Sequence, residues 1–189
     1  TGELQNTRFC IINLKLKTML SKKLEKAIIE QIKAEEESSR LYLAMASWCE
    51  VQGYAGAAAF MYDHATEERD HALKFLEYVN DRGGHAKVLA LEEPPAEFKS
   101  LKAMFEQVLE HEILVTSLIN NLVALTMEEK DYTTHNFLQW FVTEQIEEES
   151  LMRGILDKFN LAEGAKGGLF HLDKELEGLA AAEAAGSGE

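Results

Sequence analysis

The chain has 189 residues, enough for one domain with a sizeable core, and a formal net charge of −14. That balance argues against a nucleic-acid surface, which needs clustered lysine and arginine, and favours cation binding or plain solubility. Its two cysteines, Cys10 and Cys49, form no Cys-x-x-Cys pair, so zinc-ribbon and rubredoxin-type sites are unsupported and a reduced, cytoplasmic setting fits best.

With only two prolines in the whole chain, the composition predicts an all-α protein. No run reads as long and apolar enough to cross a bilayer, so no membrane role is expected. Residues 1–18 differ in character from the chain after Met19. Phe9-Cys10-Ile11-Ile12 is a short apolar patch without the basic flank and cleavage site of a leader, and the segment is read as an extension outside the fold.

Ser21 is a good N-cap for a first helix running to about Cys49. Apolar spacing of three and four gives it the face Leu24, Ile28, Gln31, Glu35, Ser38, Tyr42, Met45, with Glu36 and Glu37 turned to solvent. Gln52-Gly53-Tyr54 breaks the pattern. A second helix comes next with the face Ala57, Met61, His64, Glu68, His71, Phe75, Tyr78, ending near Asp81-Arg82 before Gly83-Gly84. From His85 to Lys99 there is no helical pattern, and Pro94-Pro95 forbid one. A connection of that length lets the helices on either side run parallel.

Ser100 caps a third helix with the face Leu101, Phe105, Val108, Glu112, Val115, Ile119, Leu122, stopping near Glu129. After Asp131 a fourth carries Leu138, Phe141, Gln145, Glu148, Met152, Ile155, Phe159 and decays at Asn160. The predicted four-helix bundle spans 19–160. A short fifth helix over 161–179 has the apolar edge Leu169, Leu172, Leu176, Leu179 and is expected to pack against other subunits. Residues 180–189 read as a disordered tail.

Each face is apolar at its ends and polar at its middle: Glu35, Glu68 with His71, Glu112, and Gln145 with Glu148. Aligned side by side, the helices bring these residues to one level. Burying unpaired carboxylates costs several kcal/mol each, and four together repel. A pair of divalent cations removes that penalty, and oxygen ligands with one or two nitrogens suit iron, manganese or zinc. Inward Glu plus Glu-x-x-His on a bundle is the arrangement of ferritin-like di-metal proteins.

Here residues 20–178 resemble a prokaryotic non-haem ferritin, a 24-subunit iron-storage cage. The resemblance rests on Glu67-Glu68-Arg69-Asp70-His71, on the run from Asn136 through Gln145, on Glu147-Glu148-Glu149 and on Phe170 through Leu176. It implies a ferritin-like four-helix bundle with one long crossover and a short C-terminal helix. It also implies a ferroxidase that oxidises Fe2+ with O2 or H2O2 and stores Fe3+ as oxyhydroxide. By resemblance the tight iron site is Glu35, Glu68 and His71. The second is Glu68 as bridge with Glu112 and Glu148, and Gln145 lies beside it. A third, weaker site is Glu67, Glu144, Glu147 and Glu148. Tyr42 matches the family's tyrosine near the centre, and its readings as a redox side chain or as a core tyrosine with a satisfied hydroxyl both stay open. Zn2+ or Mn2+ is expected to substitute for iron.

Gln145-x-x-Glu148 stands where a symmetric centre would carry a second Glu-x-x-His, which suits a site that passes oxidised iron onward. Arg69 stands where bacterioferritins place a haem-ligating methionine, so no haem is expected. At the positions where animal ferritins line their three-fold pores the chain has His135 and Leu138. The alternative reading is a di-iron oxidase or peroxidase without a cage. His64 is read as a packed histidine behind the ligands. His85, His111, His135 and His171 are read as surface or interface residues, Trp48 and Trp140 as packing anchors, and Glu149 as solvated.

Overall fold

The computed structural model describes residues 19–186, with side chains described to Ala182. The reading of residues 1–18, Cys10 included, lies outside the described residues. Five helices succeed one another: α1 Lys22–Gln52, α2 Ala55–Asp81, α3 Leu101–Glu129, α4 Tyr132–Ala162 and α5 Gly168–Gly186. No strand occurs among the described residues.

The starts and stops are local chemistry. The Ser21 hydroxyl accepts the Leu24 N–H at 3.1 Å and the Ser100 hydroxyl accepts that of Ala103 at 3.1 Å. Asp131 accepts both the N–H (3.0 Å) and the hydroxyl (2.6 Å) of Thr134. Each of these bonds satisfies an otherwise orphaned first-turn donor or fixes the capping side chain. Gly53, in the left-handed region at φ 84°, lets the chain leave α1 while the Tyr54 N–H bonds back to Cys49. α1 therefore runs to Gln52, three residues past the expected end.

Two apolar clusters show how the helices run. One joins the end of α1 (Met45, Cys49), the starts of α2 and α3 (Met61, Phe105) and the end of α4 (Ile155, Phe159). The other joins the start of α1 (Leu24, Ile28), the ends of α2 and α3 (Phe75, Ile119) and the start of α4 (Leu138, Phe141). Hence α2 and α3 run parallel, and α1 and α4 run antiparallel to them. Residues 82–100 carry the chain from one end of the bundle to the other without helix. Between the clusters lie Glu35, Ser38, Glu68, His71, Glu112, Gln145 and Glu148, all buried. α1, 31 residues long, spans about 46 Å at 1.5 Å per residue, so this layer sits deep inside the bundle.

The structure bears on three expectations. α5 packs on its own chain, with Leu172, Leu176 and Ala180 in the core, and the helix runs to Gly186, past the start of the tail expected from Ala180. Only Leu169 of its predicted edge stays open, 47% exposed. Leu138 is fully buried on the α4 core face, where the apolar spacing places it. One helix, α3, is long and apolar enough to cross a membrane by length and composition. Its apolar character has two sources, the core face and outward residues such as Ile113 and Leu114, which are about half exposed. The core face carries the buried Glu112.

Candidate metal centre

The polar layer forms because helical spacing turns one residue of each helix inward at the same depth. Glu35, Glu68 and His71 each offer a ligand atom, and these lie within 4.8 Å of one another. Glu35 takes one hydrogen bond, from the Gln31 amide at 2.9 Å. Its other oxygen has no hydrogen-bond partner among the described residues. Glu68 Oε2 also lacks a hydrogen bond and lies 3.4 Å from His71 Nδ1. Glu112 is held from two sides, accepting the Tyr42 hydroxyl on one oxygen and the Gln145 amide at 3.1 Å on the other. Gln145 bonds the Glu112 carbonyl at 3.3 Å as well, which ties α4 to α3 at the level of the site.

Burial without cations displaces every titration in the layer. Desolvation pushes the Glu35 carboxyl up to about 7. Glu68 is raised well above the carboxylate range, first by burial and then by the charges of Glu112, Glu35 and Glu148. Glu112 is also raised by burial, against the opposing bonds from Tyr42 and Gln145. Burial lowers His71 and His64 to about 4, so both imidazoles are neutral donors of a lone pair at pH 7. Among the described residues no lysine or arginine pairs with Glu35, Glu68 or Glu112. Several carboxylates and an imidazole in a dry space, with no counter-charge of their own, fit divalent iron or a cation like it.

On the flank, Glu67, His71 and Glu144 form a second cluster of ligand atoms, and His64, Glu67 and Glu148 a third, each within 4.8 Å. Glu147 is exposed and outside both; it acts on Glu144 through charge, adding to the burial that raises that carboxyl. His64 is packed, as read from sequence, its ring 4.1 Å from that of Phe60. It also faces Glu148 at 3.7 Å.

Two side chains read as peripheral belong to the site's surroundings. His111 is half-buried, with Nε2 2.7 Å from the Ser38 hydroxyl and its ring edge-on to Tyr42 at 5.9 Å. Its position one residue before Glu112 turns it to the seam between α1 and α3. Glu149 is not simply solvated: it accepts the Thr116 hydroxyl at 2.7 Å and pairs with Arg153. Trp48 is a packing anchor against Phe98, whereas Trp140 is 41% exposed, with Lys74 Nζ 3.1 Å from its ring centre and His71 edge-on at 5.3 Å. Arg69 points outward to Glu36 at 2.8 Å.

The family described as Ferritin-like domain matches residues 25–162. A probable bacterial non-heme ferritin-like protein of Haemophilus influenzae is 50% identical over 162 residues, covering 85% of this chain and 98% of its own. A bacterial non-heme ferritin of Campylobacter jejuni is 44% identical over 162 residues, covering 86% and 97%. Among solved structures, an open pore ferritin from the hyperthermophilic archaeon Archaeoglobus fulgidus superimposes with a TM-score of 0.83 at 45% identity, covering 85% of this chain and 98% of that one.

Proposed function

The chain belongs to the ferritin family, as an iron-storage protein with ferroxidase activity, and on that premise we propose which of its residues handle the iron. Two Fe2+ ions are the substrates. One binds Glu35, Glu68 and His71; the other binds Glu112 and Glu148, with Glu68 shared between them. The observation that carries this reading is the buried layer of carboxylates, which lacks any lysine or arginine paired with Glu35, Glu68 or Glu112 among the described residues. Each ion gives up one electron. The pair reduces O2 with two protons to H2O2, or H2O2 with two protons to two waters.

The chain's own groups do the positioning. Gln31 orients Glu35, and Gln145 with Tyr42 fixes both oxygens of Glu112. Neutral His71 keeps its lone pair available near neutral pH. Clustered carboxylates stabilise Fe3+ more than Fe2+, because the Coulomb term grows with the ion's charge. Gln145, neutral where a further charged ligand could stand, leaves the second ion held by fewer charges and free to move on. Glu67, Glu144, Glu147 and Glu148 are the way station on the flank. Zn2+ and Mn2+ bind the same oxygens and nitrogens without the redox step.

The working form is a homo-oligomer, which we take to be a cage of about twenty-four chains in the cytoplasm. Exposed Ile113, Leu114 and Ile146 supply apolar contact surface of the kind assembly requires. The experiment is aerobic Fe2+ oxidation by the assembled protein and its Glu68→Ala variant. Wild type is expected to be at least tenfold faster; equal rates overturn the assignment. A small oligomer oxidising Fe2+ without retaining mineral would favour the cage-free oxidase instead.

A further inference from the structure

The seam between α3 and α4 holds a cavity of about 260 Å³, well above the roughly 10–15 Å³ that one water needs. Ile119 and Gln145 line its buried end, and Asn120 and Arg153 are exposed at its mouth. The Gln145 amide nitrogen lies 3.1 Å from Glu112 Oε2 and 3.4 Å from the Thr116 hydroxyl, which belongs to the cavity lining. One side chain therefore stands between this space and Glu112, a fully buried carboxylate of the polar layer. The lining has two characters. Ile119 and Val142 are apolar. The rest is tied together by hydrogen bonds to Glu149, from the Thr116 hydroxyl at 2.7 Å and from Arg153 at 2.5 Å.

Such a lining does not suit Fe2+. Its carboxylate, Glu149, is offset by Arg153, and a guanidinium beside the path repels a cation. A small neutral molecule meets no such barrier. O2 is at home against Ile119 and Val142, and H2O2 can exchange hydrogen bonds with the Thr116 hydroxyl and the Gln145 amide. We propose that this cavity admits the oxidant, O2 or H2O2, to the Glu112 side of the di-iron centre, by a route separate from that of Fe2+. The inference rests on the di-iron reading of Glu35, Glu68, His71, Glu112 and Glu148. Gln145 is then a partition as well as a support for Glu112, and the oxidant passes beside its amide.

The test separates iron loading from oxidation. Assembled protein is loaded anaerobically with Fe2+, then mixed with O2 or with H2O2 at low concentration, and the rate of oxidation is followed by stopped flow. Val142→Phe fills the cavity and Asn120→Trp covers its mouth. Both are expected to slow oxidation severalfold, while the amount of Fe2+ bound and its rate of loading match wild type. Val142→Ala enlarges the space, and Asn121→Trp adds the same bulk at an exposed position outside the lining. Both are expected to oxidise at least as fast as wild type. A loss confined to O2 or to H2O2 keeps the proposal and names the molecule admitted. Wild-type rates in Val142→Phe and Asn120→Trp overturn it. So does an equal loss in Val142→Ala, which would point to packing and not to passage. Slower Fe2+ loading with an unchanged oxidation step would make the cavity an iron entrance, which also overturns it. A wild type no faster than Glu68→Ala would refute the di-iron reading, and this inference with it.

Discussion

Glu35 shows what a buried carboxyl costs when no cation is present. Its folded-state value of about 7 lies above its ordinary 4.5, so between those values the folded chain binds more protons than the unfolded one, and metal-free stability falls as pH rises through this window. At about 1.4 kcal/mol per pH unit the loss reaches about 3 kcal/mol above pH 7. Glu35→Gln is therefore expected to raise the melting temperature of the metal-free protein at pH 8 and to leave it nearly unchanged at pH 4, as read by calorimetry. A variant that melts lower at pH 8 would contradict the burial argument. His64 and His71 act with the opposite sign: held at about 4 against an ordinary 6.5, they withdraw stability as pH falls from 6.5 to 4. Glu112 invites a different test. Tyr42→Phe removes the hydroxyl on one of its oxygens while leaving the Gln145 bond. It is expected to slow Fe2+ oxidation severalfold without changing the number of ions bound, and binding that falls with the rate would give Tyr42 a part in holding metal.

Helix ends and core faces were legible in the sequence because each rests on residues close together in the chain. Ser21 and Ser100 cap where their side chains predict, and every core-face residue assigned to α1, α3 and α4 is buried. The parallel course of α2 and α3 came from the length of the 82–100 connection. α5 was harder, because its docking uses backbone. Gly56 lies against the Asp173 carbonyl so closely that an added Cβ would sit 1.8 Å from that oxygen, and Asp173 Oδ1 accepts the Ala57 N–H at 2.9 Å. A contact made by the absence of a side chain leaves no hydrophobic pattern to read. Gly56→Ala is expected to lift α5 off α2, seen as faster hydrogen exchange in residues 172–180 and a lower melting temperature. Unchanged exchange would mean that the α2–α5 contact does not depend on this close approach. His111 was harder to place for a related reason. Its partner, Ser38, lies on another helix.

At the scale of the whole chain, a net charge of −14 draws Fe2+ toward the protein before any ligand binds it. Raising the ionic strength from about 0.01 M to about 0.5 M shortens the screening length severalfold. The rate of oxidation at low Fe2+ is expected to fall over that range while the rate at saturating Fe2+ changes little. A salt-independent low-iron rate would remove steering from the account. Everything else depends on carboxylates from four helices meeting in one small dry space around iron. The most direct test is the anomalous diffraction map of assembled wild-type crystals loaded anaerobically with Fe2+. The account predicts one iron bound by Glu35, Glu68 and His71 and a second by Glu68, Glu112 and Glu148. A map with no iron in that layer, or with iron bound only at the protein surface, would contradict it.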